Sequence, residues 1–198
     1  MARILAINGS YRPGGINDQL VEVMTTVLRQ SGAEVEVINL RDYPLEFCRN
    51  CRECTQQPGV APGMCIIQDG MPALIEKIEL CDGYILAAPT NFGTVTALFK
   101  RFMERLVVYA FWPWDMPAPK FRKQGTPPKK AIILASFAAP GLWGRLLMGS
   151  HGQLKKTAQT LGAHTVGVLS AGLVAKRSRP RLSPQLRKKA EHLAAKLI

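Results

Sequence analysis

Short apolar runs alternate with amphipathic stretches along most of the chain, and this rhythm constrains the fold more than any other feature of the sequence. ARILAIN (2–8) closes on the glycine-rich GSYRPGGIN; a run of this kind followed by helical spacing reads as a strand buried in a parallel sheet. Residues 16–31 then place Leu20, Val21, Met24, Val27 and Leu28 on one helical face, with Gly32 as the stop. Further strands are expected at 33–40, 82–89, 130–137 and 163–170. Helices are expected over 69–81, capped by Asp69, and over 94–108, with Leu98, Phe99, Phe102 and Leu106 on one face. Another runs from the GLWGRLLM segment to about Leu161, and a last one is capped by Ser183 with Pro184 at its first position.

Strands alternating with helices imply an α/β fold, a doubly wound five-stranded parallel sheet with helices on both faces. Right-handed crossovers leave few topologies, and five strands suit the flavodoxin-like order 2-1-3-4-5, with a ligand crevice at the carboxyl ends of the strands. The 198 residues suit a single domain, 1–198, interrupted by a cysteine-rich loop at about 43–68 and an aromatic, proline-rich loop at about 109–128.

Hydrophobic residues at 47% and charged residues at 20% are ordinary globular values and exclude a disordered tail protein. No apolar run is long enough to span a membrane, and no secretory leader is visible in MARILAING, so the expected compartment is the cytoplasm. The net charge of +12 concentrates around Lys120, Arg122, Lys123, Lys129 and Lys130, in the run Lys176, Arg177, Arg179 and Arg181, and on the last helix at Arg187, Lys188, Lys189 and Lys196. It reads as a solubilising surface, or as attraction for phosphate-bearing ligands or an acidic partner. With no recognition helix, zinc finger or RNA-recognition signature, nucleic acid is disfavoured.

GSYRPGGIN (9–17) joins the first strand to the first helix, where backbone N–H groups and the helix dipole can hold a phosphate. Ser10 and Asn17 can donate hydrogen bonds there, Gly15 and Ile16 offer backbone, and Arg12 can pair with the anion. The loop is neither the dinucleotide fingerprint GxGxxG nor a P-loop.

This GSYR loop resembles that of the NAD(P)H-dependent FMN reductase family of flavodoxin-like proteins, whose GSxR loop wraps the FMN phosphate. A second match is APTNFGTVTALFKRFMERL (88–106), similar to the family's strand–loop–helix with a proline, an aromatic and a glycine in the loop. Here Pro89, Thr90, Asn91, Phe92 and Gly93 occupy the loop, and Lys100, Phe102, Glu104 and Arg105 carry the helix signature. The resemblance implies that 89–93 position the flavin ring and that the turn from Ser136 through Phe137 and Ala138 lines it; Trp143 could pack on a flavin or fill core, and core is the favoured reading. It also implies FMN as cofactor, NAD(P)H as co-substrate, hydride transfer to the flavin and onward reduction of a quinone or other small acceptor. No side chain need act as acid or nucleophile, so no catalytic residue is assigned. A homodimer or homotetramer is implied as well.

Four of the five cysteines read C-x2-C-x2-C-x10-C: Cys48, Cys51, Cys54 and Cys65. In a cytosolic chain this spacing points to metal or redox chemistry rather than disulfides. It is nearer to iron–sulfur runs than to zinc pairs, with Arg49 and Arg52 placed to offset thiolate charge. The cluster resembles that of the iron–sulfur flavoproteins, a branch of the same superfamily, which implies a [4Fe–4S] cluster on these four residues. Four free thiols in a loop near the flavin is the alternative. An iron–sulfur flavoprotein exchanging electrons with a ferredoxin-like acidic partner is accordingly the alternative function. Cys81 reads as an inert core residue, and His151, His164 and His192 carry no nucleophile signature. Tyr109, Phe111, Trp112 and Trp114 could cover a planar ring or a second subunit.

Overall fold

The structure is a computed structural model describing residues 1–126, 128–140, 144, 148–175 and 180–198. Trp143, Lys176, Arg177 and Arg179 therefore lie outside the described residues.

The elements follow the apolar runs. Strand β1 (Arg3–Asn8) leads into helix α1 (Ile16–Gln30) and strand β2 (Glu34–Asn39). After the cysteine loop come α2 (Met71–Leu80), β3 (Gly83–Asn91), the two-residue β4 (Thr94–Val95) and α3 (Ala97–Arg105). Two short strands, β5 (Ala110–Phe111) and β6 (Lys120–Phe121), precede β7 (Lys129–Ser136), α4 (Ser150–Thr160), β8 (Ala163–Ala171) and α5 (Pro184–Ala194). The central sheet runs β2-β1-β3-β7-β8, all parallel, with β4 added antiparallel to β3.

Period-two alternation along β1 sends Ile4 and Ala6 to one face of the sheet and Leu5 and Ile7 to the other. The first face is covered by Leu20, Met24 and Leu28 of α1 and by Ala190 and Ala194 of α5. The second is covered by Leu74 and Ile78 of α2, Phe99 and Phe102 of α3, and Leu154 of α4. The Phe99 and Phe102 rings meet edge-on at 5.7 Å, a geometry worth about 0.5–1.5 kcal/mol beyond area burial. Gly32, at φ +83°, ends α1 as expected, and the Ser183 hydroxyl accepts from the Leu186 N–H at the start of α5.

Three local expectations change. The helix expected over 94–108 begins only at Ala97, because Thr94 and Val95 pair with β3 and Thr96 caps the helix by accepting from the Phe99 N–H at 3.2 Å. Its last turn tightens into a 3-10 turn, Leu106–Tyr109. The proline-rich stretch is not all loop, since β5 and β6 pair antiparallel through Ala110–Phe121 and Phe111–Lys120. Asp69 lies ahead of α2, where its carboxylate accepts from the Met71 N–H, while Gly70 holds the cap position.

Candidate functional site

At the carboxyl ends of β1, β3 and β7 the chain leaves a cleft of about 470 Å³, within the range of small-molecule sites. Ser10, Arg12 and Gly15 line it from the first loop, Ile16 and Asn17 from the start of α1, Pro89, Thr90 and Asn91 from the end of β3, which runs on through the expected loop, and Ser136 from the end of β7. Tyr11, Thr96, Ala138, Val174, Ala175 and Pro180 complete the lining. Of these only Ala138 carries an expectation from the sequence. Phe137 turns away into the core, where its ring lies 5.3 Å from that of His151. Phe92 and Gly93 are absent from the lining. The Phe92 ring is fully exposed on a backbone at φ +47°, and the Gly93 carbonyl accepts from the Gly149 N–H at 2.7 Å.

The first loop is tied down by a polar network behind it. Asn8 donates to Asp18 and Asn39 and accepts from the Ser10 N–H. Asp18 also accepts from the Gly14 N–H and pairs with Arg41 at 3.0 Å, while Arg41 reaches the Ser10 carbonyl. The Ser10 hydroxyl accepts from the Arg12 N–H, closing the turn. The Thr96 hydroxyl, capping α3, donates to the Gly9 carbonyl at 2.6 Å and so links the first two loops. Gly9 is required there, because a Cβ would lie 2.7 Å from the Phe99 Cβ.

Asn17 stands apart from this network. Its side chain is buried at the start of α1, and neither its amide nitrogen nor its carbonyl oxygen has a partner among the described residues. The N–H groups of a first helical turn also lack intrahelical acceptors. A buried, unpartnered amide beside such a turn, lining a cleft with an exposed Arg12, is a donor set that fits a phosphate.

The four cysteines of the cysteine-rich loop lie around one hollow. Cys48, Cys51, Cys54 and Cys65, all free thiols, line one hollow of about 20 Å³ with Asn50, Arg105 and Val107. Asn50 and Arg52 both take left-handed backbone, at φ +52° and +63°, which turns the loop around its thiols. Burial, and then the neighbouring Cys65, Cys48 and Cys51, push the Cys54 thiol up to about 11. The Asn50 N–H points at the Cys48 Sγ at 3.4 Å, and Arg105 Nη2 at the Cys65 Sγ at 3.5 Å. Among the described residues no three His, Cys, Asp or Glu side chains form a group shaped to hold one metal ion. Four thiols with N–H donors on two of the sulfurs match the donor chemistry of an iron–sulfur cluster.

Positive charge reaches this loop differently from expectation. Arg49 is exposed, and Arg52 lies over the rings of Trp112 and Trp114, 3.9 and 4.4 Å from their centroids, while donating to the Trp112 and Pro113 carbonyls. Arg105 is buried against Asp69. Arg122, which in the sequence belongs to a charged surface segment, is buried instead, and burial holds its guanidinium below the usual pKa. Cys81 is a core residue, its buried thiol donating to the Ile78 carbonyl at 3.3 Å.

The family model described as NADPH-dependent FMN reductase matches residues 2–172. The chain belongs to this family. Its relatives include an iron–sulfur flavoprotein of Methanocaldococcus jannaschii, 34% identical over 103 residues, 52% of this chain and 51% of that one. A Bacillus subtilis protein provisionally named as an NAD(P)H-dependent FMN-containing oxidoreductase is 30% identical over 135 residues, 67% of this chain and 65% of that one. The chain spans about half the length of the first curated relatives it matches. Among solved structures, an FMN-dependent NADH-azoreductase of Bacillus anthracis in complex with FMN superposes with TM-score 0.67 at 13% identity, covering 98% of this chain and 99% of that one. An NAD(P)H:quinone oxidoreductase of Methanothermobacter marburgensis gives 0.62 at 18%, covering 98% and 92%. At these identities the structures share the fold. No helix among the described residues is long and apolar enough to cross a membrane.

Proposed function

We propose that this chain is an FMN-dependent oxidoreductase that passes electrons from NAD(P)H to a quinone or another small acceptor. The buried, unpartnered Asn17 amide at the N-terminus of α1 carries this reading, because it supplies the phosphate anchor that the family's cofactor needs. In this reading the sheet is the doubly wound, flavodoxin-like frame of one domain, in the order 2-1-3-4-5, with the cofactor at its carboxyl edge.

FMN, when bound, supplies the hydride chemistry. The protein's part is binding and orientation. Ser10, Arg12 and Asn17 hold the phosphate, with Gly15 and Ile16 giving backbone at the helix start. Pro89, Thr90 and Asn91 flank the ring, and Ser136 closes the far side. Phe92 and Gly93 form the rim, where the fully exposed Phe92 ring is free to meet a planar substrate or a second subunit. We take the protein to be a cytoplasmic homodimer or homotetramer.

A second reading follows from the hollow lined by four thiols. There Cys48, Cys51, Cys54 and Cys65 hold a [4Fe–4S] cluster, and the net charge of +12 suits an acidic electron-transfer partner. Anaerobic purification followed by a visible spectrum and assays of iron and acid-labile sulfide tests both readings. Flavin bands with about four irons per chain support the cluster. Flavin alone supports the reductase with free thiols. Failure to take up added FMN overturns the proposal.

A further inference from the structure

Arg122 sits behind Cys54 and is only 7% exposed. Its guanidinium makes four bonds, all to backbone carbonyls: Nε to Val108 at 3.1 Å, Nη1 to Gly59 at 3.1 Å, and Nη2 to Gln57 at 2.8 Å and Cys54 at 3.3 Å. The returning chain closes over it at Gly63, where a Cβ would meet the Cys54 carbonyl oxygen at 1.7 Å. Among the described residues no carboxylate lies within ion-pair distance of this guanidinium. Arg105, the other buried arginine of the region, is neutralised by Asp69.

Hydrogen bonds to carbonyls satisfy the donors of a guanidinium but leave its charge, and a buried charge without a counter-ion is unfavourable. A negative charge carried nearby in the working state would offset that cost. The groups of this loop that can supply it are the thiols that Cys54 shares the hollow with.

We infer that Arg122 is a positioning residue that also acts through its charge. It folds the segment from Cys54 to Gly59 around the hollow and counters a net negative charge carried there by the thiolate-bound centre. This rests on the iron–sulfur reading given above. Reduction of such a centre adds one electron, makes and breaks no bond, and leaves the centre one unit more negative. A fixed cation behind one ligand favours that reduced state.

The test compares Arg122→Lys with Arg122→Gln in the full chain, loaded with iron and sulfide under anaerobic conditions. Iron content is assayed, and the midpoint potential of the centre is measured by titration with dithionite. Both variants lose part of the carbonyl network, and only the lysine keeps the charge. The lysine variant is expected to retain iron and the wild-type potential. The glutamine variant is expected to retain iron but to shift the redox equilibrium about tenfold towards the oxidised form, about 59 mV for one electron. Iron retained in both with unchanged potentials, or lost alike from both, would leave Arg122 a purely structural residue and overturn the inference. A wild-type protein that binds no iron overturns the iron–sulfur reading and the inference with it; iron bound without a shift overturns the inference alone.

Discussion

Arg105 and Asp69 face each other across the exit of the cysteine loop, their side chains 1% and 5% exposed and joined by two hydrogen bonds, one of 3.0 Å. Arg105 also reaches the Glu46 carbonyl at 2.9 Å, so the pair pins both ends of the loop to the end of α3. Burial pushes the Asp69 carboxyl upward, but Arg105 and the N–H groups of Glu46 and Met71 outweigh it and hold the group below the usual carboxylate range. A depressed folded value contributes stability above the unfolded pKa of about 4, and that stability is lost as pH falls through the folded value. Urea midpoints should therefore drop on acidification below about pH 4, and less steeply in Asp69→Asn. Because that variant leaves Arg105 buried without its counter-ion, its stability at neutral pH should fall by about 3–5 kcal/mol.

Asn17 makes the opposite trade. Its two polar atoms are buried without partners among the described residues, at a cost of about 1–3 kcal/mol for such groups. Asn17→Ala should leave the flavin-free protein as stable as wild type or more so in urea unfolding. The same change should weaken FMN binding about tenfold or more in a flavin-fluorescence titration, or about 1.4 kcal/mol. A variant that loses stability without FMN and keeps its FMN affinity would place Asn17 outside the phosphate site.

Gly9 tests how closely the two cleft loops must approach. A Cβ there would lie 2.7 Å from the Phe99 Cβ and 3.2 Å from the Thr96 hydroxyl. Gly9→Ala should cost about 1–3 kcal/mol by overpacking, seen as a lower thermal midpoint. It should also reduce FMN affinity, because the Thr96 bond to the Gly9 carbonyl sets the distance between the loops.

Much of the fold was legible because buried parallel strands are written as continuous apolar runs, and β1, β3 and β7 each contain one; the edge strand β8 is only half-buried and reads as a mixed run. The cleft was legible for a related reason: its residues lie at the carboxyl ends of strands or in the segments directly after them, where topology brings them to one edge. What escaped depends on partners distant in sequence. Arg122 sits among lysines and looks like a solvated charge, and its burial depends on carbonyls contributed by residues 54, 57, 59 and 108. Thr96 could have been found, since a threonine ahead of an apolar helix is a cap signal, but helical spacing carried the expected helix past it. The prolines around β5 and β6 hid a pairing only two residues long.

The stacking of Arg52 on two tryptophans predicts a spectroscopic signature. Arg52→Ala removes two cation–π contacts and the bonds to the Trp112 and Pro113 carbonyls. Tryptophan emission should shift, and backbone hydrogen exchange should accelerate at Thr55 and Trp112, whose backbones are joined at 2.9 Å. A destabilisation of about 1–2 kcal/mol is expected from the lost cation–π contacts. Unchanged exchange at both residues would show that the two loops hold their shape independently.

The joint between Arg52 and Trp112 spans 60 residues of sequence, and the Trp112 carbonyl accepts from Arg52, Thr55 and Gln56 together. Each loop thus supplies hydrogen-bond partners that the other uses. In descent, the cysteine segment and the proline-rich hairpin would have to be gained or discarded as a pair. A chimera that transplants one of them alone into a related scaffold should inherit a loop without a mould.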